Sequence, residues 1–326
     1  MRERPVVVIQ GAASAEQVPG ITAIESEAEL RFAASASALA NALPGADVLL
    51  GWDFSEAGLR EAWPRADALR WIHWAGAGVD AVLFQELTES DVILTNSRGI
   101  FDRAMAEFVL GLILSFAKTF PQMTRDQDQR RWSHRLGEMI IGRRVLVLGV
   151  GSIGREIARL LSSAGLHVEG VGRRARAGDD DFAAIHSQED LNTVLPDADY
   201  VVIVVPLTDE TRGMFGASQL GAMKPTARLI NIARGAILDE PALVEALKAG
   251  QIAGAALDVT AIEPLPEDSP LWAMPDVIIS PHMSGDFHGH YEILVSAFID
   301  NFRRYRAGEP LSNVVDKVSG FVPSSE

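Results

Sequence analysis

Apolar runs of strand length alternate with helix-patterned segments along nearly the whole chain. In the first third, PVVVI (5–9), ADVLLG (46–51), LRWIHWA (69–75) and DVILTN (91–96) read as strands, separated by Ala-rich helical stretches near 35–43 and 56–62. From Ile100 to about Phe120 the apolar residues recur at helical spacing and Pro121 closes the run, which predicts one long helix. A polar segment rich in Arg and Gln, 122–143, follows. A second series of strands occupies 144–149, 166–171, 199–205, 227–231, 252–257 and 276–280, and after Pro281 a helical pattern covers 291–305. Alternation of this kind marks parallel sheets with helical crossovers. Two such series predict two α/β domains of unequal strand count, the 100–120 helix connecting them and the C-terminal helix returning to the first.

Composition narrows the class. A chain of 326 residues suits two cores better than one. The absence of cysteine excludes disulfides and thiolate zinc sites. The net charge of −15 argues against a general nucleic-acid surface. The longest apolar run, EFVLGLILSFA (107–117), falls short of a bilayer span and is bounded by Glu107 and Lys118. The N-terminal MRERPVVVIQG enters a β-like run without signal-peptide anatomy. A cytoplasmic protein that binds neither membrane nor nucleic acid is the expectation.

Chemistry enters at VLVLGVGSIGREIARLLSSAG, where Gly149, Gly151 and Gly154 have the G-x-G-x-x-G spacing. The spacing is weak alone, but here it follows a strand and opens an amphipathic helix, the context that gives it meaning. Gly149 permits the tight turn, Gly151 lets backbone approach a pyrophosphate and Gly154 allows close helix–strand packing. Ser152 and Ile153 stand at the helix N-terminus, whose unpaired N–H groups favour an anion. A dinucleotide is the expected ligand.

Taken with GAGVD (76–80), VPLTDETRGMF (205–215), NIARGAILDEPAL (231–243), ALDVTAIEPLPEDSPLW (256–272) and ISPHMSG (279–285), this turn makes the chain resemble the D-isomer-specific 2-hydroxyacid dehydrogenase family from about residue 44 onward. The resemblance implies two Rossmann-like domains. One is a doubly wound, parallel-sheet NAD(P)-binding domain over 99–287. The other is a smaller, flavodoxin-like substrate-binding domain from 1–98 and 288–326. It also implies a homodimer, formed through the 100–140 region. Reducing a 2-keto acid needs a cation for the carboxylate and ketone, an acid for the new alkoxide, and a hydride donor. The planar fork of Arg234 suits the first task. His282, directly after a strand, suits the second, because its pKa lies near neutrality. Glu263 is its implied partner, and Arg234, Glu263 and His282 match the family's catalytic set residue for residue. The resemblance also has Asp258 accept from the nicotinamide carboxamide, while Val205, Pro206, Thr208, Ile232 and Ala233 line the cofactor path. It has Ala77, Gly78 and Val79 hold the substrate carboxylate, and Trp52 and Phe54 touch the substrate side chain. Trp71 and Trp74 also fall near that expected mouth. Met283 and Ser284 depart from the family's commoner Ile-Gly or Ile-Ala pair after the histidine. Trp132 stands alone in the polar connector, and Asp286 with His288 and His290 has only the usual look of a solvated helix start rather than a metal site.

The last question is which cofactor. An NAD enzyme usually keeps an acid about twenty residues past the first glycine, for the ribose 2′-hydroxyl. Aligned on the family, that position is Gly172, and Arg173 and Arg174 follow it at once. Glu169 lies mid-strand and is expected to face sideways. Charge-assisted donors suit a 2′-phosphate, so NADP(H) is preferred, with NAD(H) possible. The expected function is NADPH-dependent reduction of a 2-keto acid to the D-2-hydroxy acid, with hydride from nicotinamide C4 and the proton from His282. Glyoxylate and hydroxypyruvate are one expected substrate pair; a bulkier aliphatic or aromatic acid is the other. Two alternatives stay open: an NAD(P)-sensing corepressor of the same fold, and an NAD-linked dehydrogenase working oxidatively.

Overall fold

The structure, a computed structural model, describes residues 4–54 and 58–323. The chain divides into two compact units, one made of 1–100 with 287–326 and the other of 101–286.

In the first unit, the described residues form a five-stranded parallel sheet of order β2-β1-β3-β4-β5. Its strands are β1 (Val6–Gln10), β2 (Glu29–Ala33), β3 (Val48–Gly51), β4 (Trp71–Trp74) and β5 (Ile93–Asn96). Every residue of the central β1, β3 and β4 is buried, as crossover helices covering both faces require. Helices α1 (Ala36–Ala42), α2 (Leu59–Ala62) and α3 (Gln85–Glu89) lie between strands. The helix expected over 56–62 begins outside the described residues. The edge strand β2 was not expected from the sequence, since ELRFA buries only Ala33 and lacks a continuous apolar run. The C-terminal helix His290–Ala307 packs in this unit and places Phe298 against Trp71, ring centroids 5.4 Å apart.

The second unit holds an eight-stranded sheet, among the described residues, of order β13-β12-β11-β10-β6-β7-β9-β8. The strands are β6 (Arg144–Leu148), β7 (His167–Gly172), β8 (Arg176–Ala177), β9 (Ala184–Ser187), β10 (Tyr200–Ile203), β11 (Arg228–Asn231), β12 (Gly254–Leu257) and β13 (Val277–Ile279). All pairs are parallel except β8 with β9. Chain order reverses between β6 and β10, the switch point outside which α/β sheets bind ligands. Helices α4 (Asp102–Ala117), α5 (Phe120–Asp128), α6 (Ser152–Ser163), α7 (Leu191–Val194), α8 (Ala217–Ala222) and α9 (Glu240–Lys248) complete the unit.

Two expectations need correction here. The long helix expected over 100–120 is α4, but after a break at Thr119, whose φ of 56° is left-handed, a second helix follows at once. Pro121 does not end a helix but starts one: in the first turn of α5 its missing N–H costs nothing. The polar connector is accordingly helical as far as Asp128, and its later part, around 131–140, is irregular. The short β8–β9 hairpin was also unforeseen, because RA and AIHS carry little apolar signal.

Candidate active site

Arg234, Asp258 and His282 follow three adjacent parallel strands, β11, β12 and β13, at their carboxyl ends. Asn231, fully buried, shapes the first turn: its Oδ1 accepts from the Ala233 N–H at 3.1 Å and its Nδ2 donates to the Arg234 carbonyl at 3.1 Å. A Cβ on Gly235 would lie 2.0 Å from the Thr260 carbonyl oxygen, so only glycine lets this turn press against 260–261. The Thr260 N–H in turn donates to Glu263 Oε1 at 3.1 Å. Arg234 and Glu263 thus sit on loops packed backbone to backbone.

Glu263 Oε2 lies 2.8 Å from His282 Nδ1. An ionised carboxylate only accepts, so Nδ1 carries a hydrogen and donates it, leaving Nε2 as the ring nitrogen for chemistry. The hydrogen bond to Glu263 raises the His282 pKa above its ordinary value; burial and the Arg234 charge oppose that rise without cancelling it. Burial works against ionisation of Glu263, but His282, the Thr260 N–H and the Arg234 charge outweigh it and hold the carboxyl below its usual range. The pair therefore favours an imidazolium beside a carboxylate, with the histidine side chain 47% exposed.

His282 itself is held in a left-handed conformation, φ 52°. Asp258, only 2% exposed, fixes it there. Its Oδ1 accepts from the Ser280 hydroxyl at 2.7 Å and the Met283 N–H at 2.9 Å, and its Oδ2 from the Ser284 N–H at 2.9 Å. The His282 N–H closes the loop onto the Asp258 carbonyl at 2.8 Å. One buried carboxylate thereby organises the loop on both sides of the histidine. Of its four acceptor positions, one on Oδ2 is left over.

The glycine turn joins β6 to α6 and fits a dinucleotide. Gly149 has φ 118°, and a Cβ there would meet the Val204 carbonyl oxygen at 2.8 Å. A Cβ on Gly154 would fall 1.9 Å from the Gly149 carbonyl oxygen, whereas one on Gly151 would meet nothing within 4 Å. The middle glycine therefore opens onto free space at the start of α6, where Ser152 and Ile153 occupy the first turn and no side chain caps the helix. Beyond β10, Val205, Pro206 and Thr208 lie on a loop tied by Thr211, whose hydroxyl donates to the Pro206 carbonyl at 2.6 Å and accepts from the Thr208 N–H at 2.8 Å. Ile232 and Ala233 are buried after β11. Gly172 ends β7, with Arg173 and Arg174 exposed directly after it. Glu169 is turned to other work, accepting from Arg144 at 2.8 Å and pairing with His167 at 2.9 Å and His186 at 2.7 Å.

In the first unit, Ala77, Gly78 and Val79 follow β4, and their N–H groups meet no protein acceptor among the described residues. Asn96 steadies the turn by donating to the Ala77 carbonyl at 2.6 Å, and the Ser97 N–H donates to Gly76 at 3.1 Å. Phe54, 39% exposed, approaches Gly76, where a Cβ would lie 3.2 Å from its ring. Trp52 is 7% exposed, with its indole N–H on the Gln17 carbonyl at 3.1 Å and its ring beside Tyr291. Trp71 and Trp74, at 0% and 1% exposure, are core residues, the commoner place for aromatics. His290 is buried and its Nδ1 lies 2.7 Å from the Phe287 carbonyl, and among the described residues no three or more His, Cys, Asp or Glu side chains are grouped to hold a metal.

Residues 110–284 match the family described as D-isomer specific 2-hydroxyacid dehydrogenase, NAD binding domain. A glyoxylate/hydroxypyruvate reductase B from Pectobacterium carotovorum is 35% identical over 258 residues, covering 77% of this chain and 80% of that one. The chain belongs to the D-isomer-specific 2-hydroxyacid dehydrogenases. A D-3-phosphoglycerate dehydrogenase from Methanocaldococcus jannaschii is 31% identical over 259 residues, 79% of this chain but only 49% of that protein, so the present chain spans about half its length. Among solved structures, a D-isomer specific 2-hydroxyacid dehydrogenase from Xanthobacter autotrophicus Py2, in complex with NADPH and MES, superposes with a TM-score of 0.82 at 31% identity, covering 98% of this chain and 100% of that one.

The supports of these residues were not singled out in the sequence. Thr211 and Ser280 lie inside the motifs of 205–215 and 279–285 and Asn96 ends a strand, but nothing in the sequence marks their role; each acts through a hydrogen bond to a partner distant in the fold or hidden in a loop.

Proposed function

We propose that this dehydrogenase reduces a 2-keto acid to the D-2-hydroxy acid with NADP(H) as preferred cofactor. The observation that carries the reading is the 2.8 Å pair of Glu263 and His282, with the Arg234 charge acting on both. The Arg234 guanidinium grips the carboxylate and draws electron density from the ketone oxygen. Bound reduced nicotinamide supplies a hydride for the carbonyl carbon. As the C=O π pair retreats to oxygen, His282 delivers its Nε2 proton there, and Glu263 steadies the imidazole through Nδ1. The donated proton is replaced from solvent, to which the half-exposed ring has access. In the first unit the N–H groups of Ala77, Gly78 and Val79 are donors of the kind that hold a carboxylate.

Supporting NADP(H) is the lack of an acid at Gly172 and the exposed Arg173 and Arg174 after it. The Xanthobacter relative binds NADPH. A homodimer is proposed from the exposed apolar side chains of Trp132, Leu136, Met139 and Ile141 on the irregular stretch after α5. The test is a panel of 2-keto acids, glyoxylate and hydroxypyruvate with bulkier aliphatic and aromatic members, against NADPH and NADH. Acid-dependent oxidation of NADPH is expected, faster than that of NADH at equal concentration. No oxidation with any acid would sink the reading.

A further inference from the structure

The stretch that carries Arg173, Arg174 and Arg176 also carries Asp179, Asp180 and Asp181, so its own formal charge is zero. Taken alone, it would be a poor attractor for a phosphate dianion. The structure places a fourth arginine against it. Arg155, in the first turns of α6, donates from Nη2 to Asp179 at 2.8 Å and from Nη1 to Asp181 at 2.7 Å. Its guanidinium also lies 5.7 Å from the ring centroid of Phe182, which is buried.

These contacts fall on the tip of the β8–β9 hairpin. Asp179 closes that tip: its N–H donates to the Phe182 carbonyl at 2.9 Å, and its Oδ1 accepts from the N–H groups of Asp181 and Phe182, both at 3.1 Å. Gly178 is needed there, because a Cβ would lie 2.2 Å from the Ala183 carbonyl oxygen. Arg155 thus uses both arms of its fork and the face of its guanidinium on one tip, and it comes from the helix that the glycine turn opens. Lone exposed ion pairs contribute little, but a forked guanidinium shared by two carboxylates and an aromatic face has the geometry that does. The Asp181 side chain is only 15% exposed, which limits screening. The carboxyl of Asp179 is drawn down to about 2, chiefly by its hydrogen bond from Arg155, so it stays ionised and paired at neutral pH.

We propose that Arg155 is a specificity-determining positioning residue for the 2′-phosphorylated cofactor. It bolts the hairpin tip to α6 and, with Arg159 sharing Asp181 at 3.2 Å, draws off two of the three aspartates that offset the arginines at 173, 174 and 176. It holds Asp179 at 2.8 Å, where Arg176 reaches the same carboxylate only at 4.0 Å. This rests on the reading that Arg173 and Arg174 receive the 2′-phosphate. A cofactor with a bare 2′-hydroxyl asks nothing of that charge balance, so the effect is selective.

The test measures dissociation constants of NADPH and NADH by calorimetry, on the purified full chain without substrate. Arg155→Met is expected to weaken NADPH binding about tenfold or more, on the order of 1.4 kcal/mol, and NADH binding less than twofold. Retained NADH binding shows that the site is folded. Arg155→Lys, which keeps the charge but loses the fork, is expected to fall between wild type and Arg155→Met. Equal weakening of both cofactors, or none, would overturn the proposal. Arg173→Ala with Arg174→Ala is measured alongside. If that pair shows no NADPH-selective loss, the 2′-phosphate reading itself falls; if it does while Arg155→Met does not, only the role of Arg155 falls.

Discussion

Asp258→Asn tests the claim that one buried carboxylate positions the proton donor. The wild-type side chain accepts three hydrogen bonds, from the Ser280 hydroxyl and from the N–H groups of Met283 and Ser284. With its carbonyl oxygen in place of Oδ1, asparagine keeps the first two as neutral bonds, each weaker by roughly 1 kcal/mol. At Oδ2 it presents an amide N–H to the Ser284 N–H, so a bond of about 1.5–3 kcal/mol is lost and a buried donor goes unmet. The total is on the order of 3–5 kcal/mol, and the opposite amide orientation only moves the unmet donor to the Met283 N–H, since the Ser280 hydroxyl can accept from the amide. Because His282 is held at φ 52° by these contacts, the loop relaxes before the sheet does. Two assays follow: urea unfolding, and the rate of 2-keto acid reduction across pH. About 2–3 kcal/mol of this total spent on misplacing His282 lowers kcat by roughly 30- to 200-fold. The pH at which reduction fails also moves toward the ordinary histidine value, since a displaced ring leaves Glu263. A folded Asp258→Asn protein with kcat within twofold of wild type and an unmoved pH profile would refute the reasoning.

Other expectations concern charge, burial and assembly. The proposed reduction uses the protonated form of His282, whose pKa is raised chiefly by Glu263, so activity is expected to fall as pH climbs through that raised value. Glu263→Gln removes the main cause, and the descending limb of the pH–kcat profile is expected at lower pH; an unchanged limb would separate Glu263 from the titration. His73 is fully buried, with its Nδ1 on the Thr95 hydroxyl, and burial pushes its pKa down from 6.5 to about 3. It stays neutral in the fold while the unfolded chain protonates near 6.5, so stability is full above that pH and drains as pH falls toward 3. At pH 5 the loss is about 2 kcal/mol. His73→Gln should abolish that part of the drop between pH 7.5 and 5 in urea titrations, and an identical drop in both proteins would contradict it. Trp132→Asp with Met139→Asp is expected to convert a dimer to monomer in sedimentation, with the fold retained by circular dichroism; a dimer that persists would place the interface elsewhere.

What the sequence made legible follows from where information is local. Strands such as VVVIQ and RVLVL announce themselves by continuous apolar runs, and the glycine turn by spacing plus context. Arg234, Glu263 and His282 could be named because each sits in a short motif beside a strand. The second helix, α5, was hidden because FPQMTRDQD is mostly polar, and proline's meaning depends on whether it falls at the end or the start of a helix. Nor does a strand pattern say which aromatics are core, as Trp71 and Trp74 are. The anchoring of the 280–284 loop by Asp258, and of the hairpin by Arg155, joins residues more than twenty apart through side-chain geometry that no periodicity encodes.

The central claim is that His282 gives the proton that completes 2-keto acid reduction. The most direct measurement compares wild type with His282→Ala for turnover on the best acid of the panel and, separately, for NADPH affinity by calorimetry. The expected result is a loss of kcat of about 10²-fold or more, the scale of general acid catalysis, with NADPH affinity within a few-fold of wild type. Retained turnover in His282→Ala, at the same rate and with the same pH dependence, would contradict it.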